Sequence, residues 1–232
     1  MALALLPFFQ FFRSTPHQLA AIKELEEQMP QDLLQEEDNA WFDAWKASGI
    51  DQEVFVPYFS QLDNKIGVPG RQCFSSAAAM VAAFYKKVKT DDEYNAIRVK
   101  YGDTTSVDAQ IQALRSLGLN AEFRKDGDSD LIELEIERGR PVLVGWLHHG
   151  DVLRGEAPHG AGHWSVISGY AGKYSNDPEW IMQDPRGLPD MVRGGHKNAH
   201  RGRNARVRQS EFYPRWSVDG PKTGWVILVD DL

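Results

Sequence analysis

The chain has 232 residues, of which 42% are hydrophobic and 25% charged; that is enough for one sizeable globular core with an appendage and excludes wholesale disorder. A formal net charge of −7 argues against a general nucleic-acid binder, which needs surplus Lys and Arg to displace counterions from phosphates. The single Cys excludes an intramolecular disulfide and a Cys-rich zinc site, leaving that thiol as either a small buried hydrophobe or a nucleophile.

In chain order, the apolar run MALALLPFFQFF at residues 1–12 has no basic start and no small-residue cleavage site, and Pro7 interrupts it. It does not read as a signal peptide, so the protein is expected to be made in the cytoplasm. The run also falls well short of the roughly 20 apolar residues that cross a bilayer as a helix, so no transmembrane segment is expected. From Thr15-Pro16 onward, Leu19, Ile22, Leu25, Met29, Leu33 and Leu34 recur near helical spacing, which gives residues 1–50 the pattern of a helical N-terminal extension or docking arm.

The main domain is expected over residues 53–232, opening with VFVPYFSQLDN as an extended, β-rich segment. Gly67, Pro69 and Gly70 make a loop that leads into CFSSAAAMVAAFYKK, whose small apolar residues favour a buried central helix starting at Cys73. Thr90 with Glu93, and Thr105 with Asp108, read as capping boxes that begin two further helices, the second closed by Gly118. A short strand at 119–124 and a last helix from about Asp130 to Gly139 follow. PVLVGWL, HWSVISGY, WIMQD and GWVILVD then read as strands, giving an α+β order with helices first and mostly antiparallel sheet after. His148, His149 and His159 fall in the loop before HWSVISGY, and RGGHKNAHRGRNARVR at 193–208, basic and without an acidic residue, reads as an exposed loop.

A thiol at the first turn of a helix is activated, because unpaired N–H groups and the helix dipole favour its anion. Cys73 has that position. Such a nucleophile needs an imidazole to exchange protons with and a third polar group to fix the ring. Of the seven His residues, His163 starts the most strongly β-patterned run, and Asp184 ends the next, so two neighbouring strands can bring them side by side. His196 and His200 have i, i+4 spacing, but their surroundings are rich in Arg and Gly with no nearby carboxylate or thiol, so neither a metal nor a cofactor is expected.

The blocks VPYFSQLDN, QCFSSAAAM, GRPVLVGW, GHWSVISGY and QDPRG, in that order, resemble the bacteriocin-processing-like, family-39-like cysteine peptidases of the papain superfamily over roughly residues 54–187. The resemblance implies a papain-like α+β fold, a Cys73 nucleophile, a His163 general base and acid, and an Asp184 that orients the imidazole. It also implies that Gln61 forms the oxyanion hole with the Cys73 backbone N–H. In this chain the GVPG loop lies between Gln61 and Cys73, which leaves Gln72 as a local rival, and Phe74 is bulkier than the residue that usually follows the Cys. The N-terminal FFQFF and HQLAAIKEL resemble leader segments that precede wall-degrading enzymes of phages, particularly those infecting cyanobacteria.

These readings lead to a cysteine endopeptidase acting on peptidoglycan stem or cross-link peptides, as a phage lysin or virion-borne hydrolase working at the cell wall or in a virion. The N-terminal arm is a candidate contact for a phage structural protein. One alternative is a peptidase that processes a protein or leader-peptide precursor; another is a structural virion or interaction protein that retains the fold without the chemistry.

Overall fold

The computed structural model describes residues 49–231. The expected N-terminal arm lies almost wholly outside these residues.

After strand β1, Ile50–Glu53, the chain runs irregularly to a 3-10 turn at Gln61–Asp63 and a second at Pro69–Arg71. The β-rich segment expected at VFVPYFSQLDN is therefore not strand: β1 ends at Glu53, just before it, and residues 54–64 carry only the 3-10 turn. Helix α1, Cys73–Phe84, follows, then α2, Asp91–Arg98, and α3, Val107–Ser116. Strand β2, Leu119–Gly127, leads into α4, Ser129–Glu137. Strands β3, Val142–His149, β4, His159–Ala171, and β5, Glu179–Gln183, come next. Two short strands, β6, Leu188–Pro189, and β7, His196–Asn198, pair with each other; β8, Ala205–Arg208, helix α5, Gln209–Trp216, and β9, Gly224–Asp231, end the fold.

The main sheet runs β2-β9-β3-β4-β5-β8 with every pairing antiparallel, and β1 adds to the far end of β4. Side chains alternate across a strand. Gly145 of β3 and Trp164 of β4 are cross-strand partners, and the Trp164 ring stacks on Phe74 of α1 with centroids 3.9 Å apart. A Cβ at Gly145 would lie 2.9 Å from that ring, so glycine is what allows it to lie flat. Trp146, one residue on, faces the opposite side, where its ring lies 6.5 Å from Phe212 of α5. The sheet is thus covered by α1 on one face and α5 on the other.

Helix α1 is buried along nearly its whole length, and its small residues let it sit close to β4. Its two serines face a buried polar layer. Asn64 and Ser76 donate to the Asp91 carboxylate, while Ser75 takes hydrogen bonds from Arg98 and Gln110 and shares one with Thr104. This network ties the start of the central helix to α2 and α3.

Several expectations change. The N-cap of α3 is Ser106, whose hydroxyl accepts from Ala109 N–H at 3.2 Å, rather than Thr105; α4 begins at Ser129, a residue earlier than expected, with Asp128 as its cap. His148, His149 and His159 lie within the β3–β4 hairpin, where His149 pairs with His159. Helix α5 is an element the sequence reading did not anticipate; it carries Pro214 inside it, a residue that disfavours helix, and buries Phe212 and Trp216. Residues 193–208 are not simply an exposed loop, since they supply β7 and β8.

Arg215 of α5 is fully buried and donates to the carbonyls of Leu147, His149, Gly150, Met191 and Val192. It fastens the end of β3 to the segment between β6 and β7. Arg215→Met keeps the length and removes every donor, leaving carbonyls buried without partners. We expect a loss of about 3 kcal/mol or more, measured as a lower urea midpoint with an unchanged slope.

Candidate active site

Cys73 is the first residue of α1, and its neighbour Gln72, the N-cap, contributes no side-chain cap. The first-turn N–H groups, without intrahelical partners, are left to favour an anion. His163 enters from β4 and Asp184 directly follows β5. Register places Gln183 opposite Val166, so Asp184 falls beside Ser165 and one step from His163, whose side chain lies on the same face as that of Ser165.

His163 is 2% exposed and Asp184 fully buried. The His163 Nε2 lies 3.0 Å from both carboxylate oxygens. With Nε2 committed there, Nδ1 is the nitrogen left for Cys73, whose sulfur also takes the Trp164 backbone N–H. Ser165 Oγ donates to Asp184 Oδ2 at 2.9 Å and in turn accepts from Trp146 Nε1 at 3.0 Å. The Arg186 N–H and the His196 Nε2 both reach Oδ1, at 2.8 and 3.1 Å.

These contacts set the charges. Burial alone would push the Asp184 carboxyl up, but the His163 charge and hydrogen bond, with those of His196, hold it well below the usual carboxylate range. Burial alone would pull the His163 imidazolium down; the Asp184 and Cys73 charges and the hydrogen bonds to both outweigh it and push the ring up to about 10. At Cys73 burial raises the thiol, yet the His163 charge and hydrogen bond and the Trp164 N–H bring it below its ordinary value. Both shifts favour the thiolate–imidazolium pair over the neutral one.

Gln61 is also fully buried. Its backbone N–H donates to Pro185 O at 2.8 Å and its Nε2 to Pro69 O at 2.9 Å, bracing the turn before α1 against the residue after Asp184. An amide nitrogen carries two N–H groups, and this contact uses one. The rival Gln72 is turned elsewhere: its Oε1 accepts from Thr104 Oγ1 at 3.1 Å and its amide packs against Gly67. Phe74 belongs to the core, buried and stacked on Trp164.

His196 is the residue that the sequence reading missed at this site. The expected separation from chemistry does not hold for it: its side chain is 6% exposed and its ring lies 4.8 Å from that of His163, whereas His200 is exposed. His163, Asp184 and His196 each offer a metal-ligating atom within 4.8 Å of one another, and in this structure those atoms are hydrogen-bonded among themselves. Ser165 had a readable signal, two residues from His163 on one strand. His196 had none, being twelve residues beyond Asp184 in a stretch without periodicity.

The model of the papain-like cysteine protease AvrRpt2 family matches residues 51–193. The chain belongs to that family. It is a cysteine peptidase, a hydrolase of the papain superfamily, and Cys73, His163 and Asp184 all fall within the matched segment while His196 lies just beyond it. No curated protein matches the chain. Among solved structures, a proposed C39-like peptidase from Bacillus anthracis is 13% identical, with a TM-score of 0.51 over 78% of this chain and 98% of the other. The expected papain-like α+β fold, of the family-39-like kind, is the fold observed. A double-glycine-motif protease from an AMS/PCAT transporter, solved with the leader peptide, is 18% identical with a TM-score of 0.48, covering 78% of this chain and 96% of that one. The peptidase domain of Streptococcus ComA, a bi-functional ABC transporter involved in quorum sensing, is 18% identical with a TM-score of 0.45, covering 72% and 96%. Among the described residues, no helix is long and apolar enough to cross a membrane.

Proposed function

We propose that this peptidase cleaves internal peptide bonds through a Cys73 thioester, with His163, Asp184 and Gln61 as its partners. The observation that carries the assignment is that the chain's single Cys stands at the start of α1 within reach of a His163 held by Asp184. The Cys73 thiolate attacks the scissile carbonyl carbon. The oxyanion that forms is held by the Cys73 backbone N–H and the second amide N–H of Gln61. His163 passes its proton to the departing amine, which leaves the acyl group on sulfur. Water then attacks the thioester as His163 takes its proton, releasing the acid and restoring the thiolate–imidazolium pair.

The substrate we propose is a carboxylate-bearing peptide of the cell wall, a peptidoglycan stem or cross-link, cleaved by a phage lysin or virion-borne enzyme. The support is the basic segment at 193–208: Asp184 N–H donates to Gly202 O at 2.9 Å, so exposed Arg201 and Arg203 flank the site, and Arg can pair a carboxylate in bidentate fashion. Incubation with purified peptidoglycan should release new amino termini that a Cys73→Ala control does not; no release from the native enzyme overturns the wall substrate. Replacing Arg201 and Arg203 by Gln should raise KM for wall fragments several-fold at low salt, with the difference fading as salt rises. A KM indifferent to both removes these residues from binding.

A second reading, favoured by the match to a protease family, is processing of a protein or leader-peptide precursor. Mass spectrometry of co-expressed precursors tests it, and an unchanged precursor counts against it.

A further inference from the structure

Asp184 receives more donors than holding one imidazole requires. Besides His163, Ser165 and the Arg186 N–H, it accepts from a second imidazole, His196, at 3.1 Å. The His196 Nδ1 is buried without a hydrogen-bond partner. A Phe or Leu would fill this space without stranding a nitrogen, which costs free energy when buried, so the use of the imidazole has to come from Nε2.

Its position is built with care. His196 pairs with Pro189 in the β6–β7 ladder, and the preceding Gly195 N–H donates to His148 O at 2.6 Å. Gly194 has φ +79° and lies so close to the β3 end that a Cβ would sit 2.9 Å from Gly150 O; no other residue fits there without strain. Arg215 holds Met191 and Val192 of the same segment. Rigid backbone on both sides delivers one ring to one carboxylate oxygen.

We infer that His196 is a positioning residue of the catalytic centre, a second imidazole that acts on His163 through the shared Asp184 carboxylate. The inference rests on the triad proposed above. A donor on Oδ1 draws charge away from the face that Asp184 turns to His163. Without it, more of that charge falls on His163, whose imidazolium then holds its proton more tightly and is a poorer acid toward the departing amine. The groups that face His163 are Cys73 of α1, Asp184 after β5, His148 and Trp146 of β3, and His196 of β7. Of these, His196 is the one that touches Asp184 without touching the path of the transferred proton.

The test compares the full-length enzyme with His196→Phe and His196→Gln, the latter keeping a neutral donor. The Phe variant should lose about tenfold in kcat, a fraction of the 10²–10⁴ that general acid–base catalysis supplies. KM should stay unchanged and the alkaline limb of the kcat profile should move to higher pH; the Gln variant should recover much of both. An unmoved alkaline limb in the Phe variant, or a Gln variant no better than Phe, overturns the inference and leaves His196 a packing residue. Iodoacetamide alkylation of Cys73 at pH 6 separates the two levels. A native thiol reacting no faster than free cysteine would overturn the triad itself, whereas a fast native thiol with an unmoved limb in the Phe variant overturns His196 alone.

Discussion

Cys73→Ala should abolish peptide-bond cleavage, with a loss in kcat on the order of 10⁴-fold to 10⁶-fold, the scale seen when a covalent nucleophile is removed. The chain has no second Cys to substitute for it, so residual turnover cannot pass through another thioester. The substitution is structurally mild: Ala favours helix, the residue begins α1, a helix rich in Ala and Ser, and Phe74, not Cys73, makes the stacking contact with Trp164. A preserved thermal midpoint together with lost release of amino termini assigns the effect to chemistry. Activity retained within tenfold would remove Cys73 from the mechanism. A trapped acyl-enzyme, seen by mass spectrometry in the native protein after brief exposure to substrate and absent in the variant, would give the same answer independently.

Asp184→Asn should cost about 10⁴-fold in kcat, because a neutral amide neither stabilises the imidazolium nor selects its tautomer. The pH dependence has a definite sign. His163 is raised to about 10 in the folded protein, so its contribution to stability is complete below the ordinary histidine value of about 6.5. That contribution is lost as pH rises through about 10. Cys73 is lowered, so its contribution is present above the ordinary thiol value and is lost as pH falls through the folded one. Between the two folded values the ion pair is populated, and kcat/KM should form a broad plateau there. In Asp184→Asn the alkaline edge should retreat toward the ordinary histidine value, and alkylation of Cys73 at pH 6 should slow toward that of free cysteine. A plateau of unchanged width would show that Asp184 does not set the charge on His163. Stability should lose its decline between about pH 6.5 and pH 10 in the variant, a comparison made by chemical denaturation at each pH.

Much of this site was legible in the linear sequence because each residue sits at a position with its own local signature. Cys73 follows the Pro69-Gly70 turn and opens a run of small apolar residues; His163 heads an alternating β-pattern; Asp184 stands between an apolar run and a proline. Such signatures are written within about ten residues, where helix dipoles, strand alternation and turn geometry operate. Boundaries shifted by a residue or so, as at Ser106 and Asp128, because neighbouring hydroxyls and carboxylates compete to cap one helix.

What the sequence by itself determined was the α+β order and the central helix, and it set the three proposed catalytic residues at the start or end of an apolar run. Tertiary structure alone decided the rest. The carboxylate of Asp184 is shared with His196, a residue in a segment with no periodicity, because the β6–β7 ladder and the buried Arg215 fold that segment back over the sheet. Gln61 is braced by Pro69 and Pro185, one nearby in sequence and one far. Arg215 spends a buried charge on carbonyls from two separated loops. Contacts between segments with no common period leave no pattern along the chain, and here they set the orientation and charge of the groups that the local patterns had supplied.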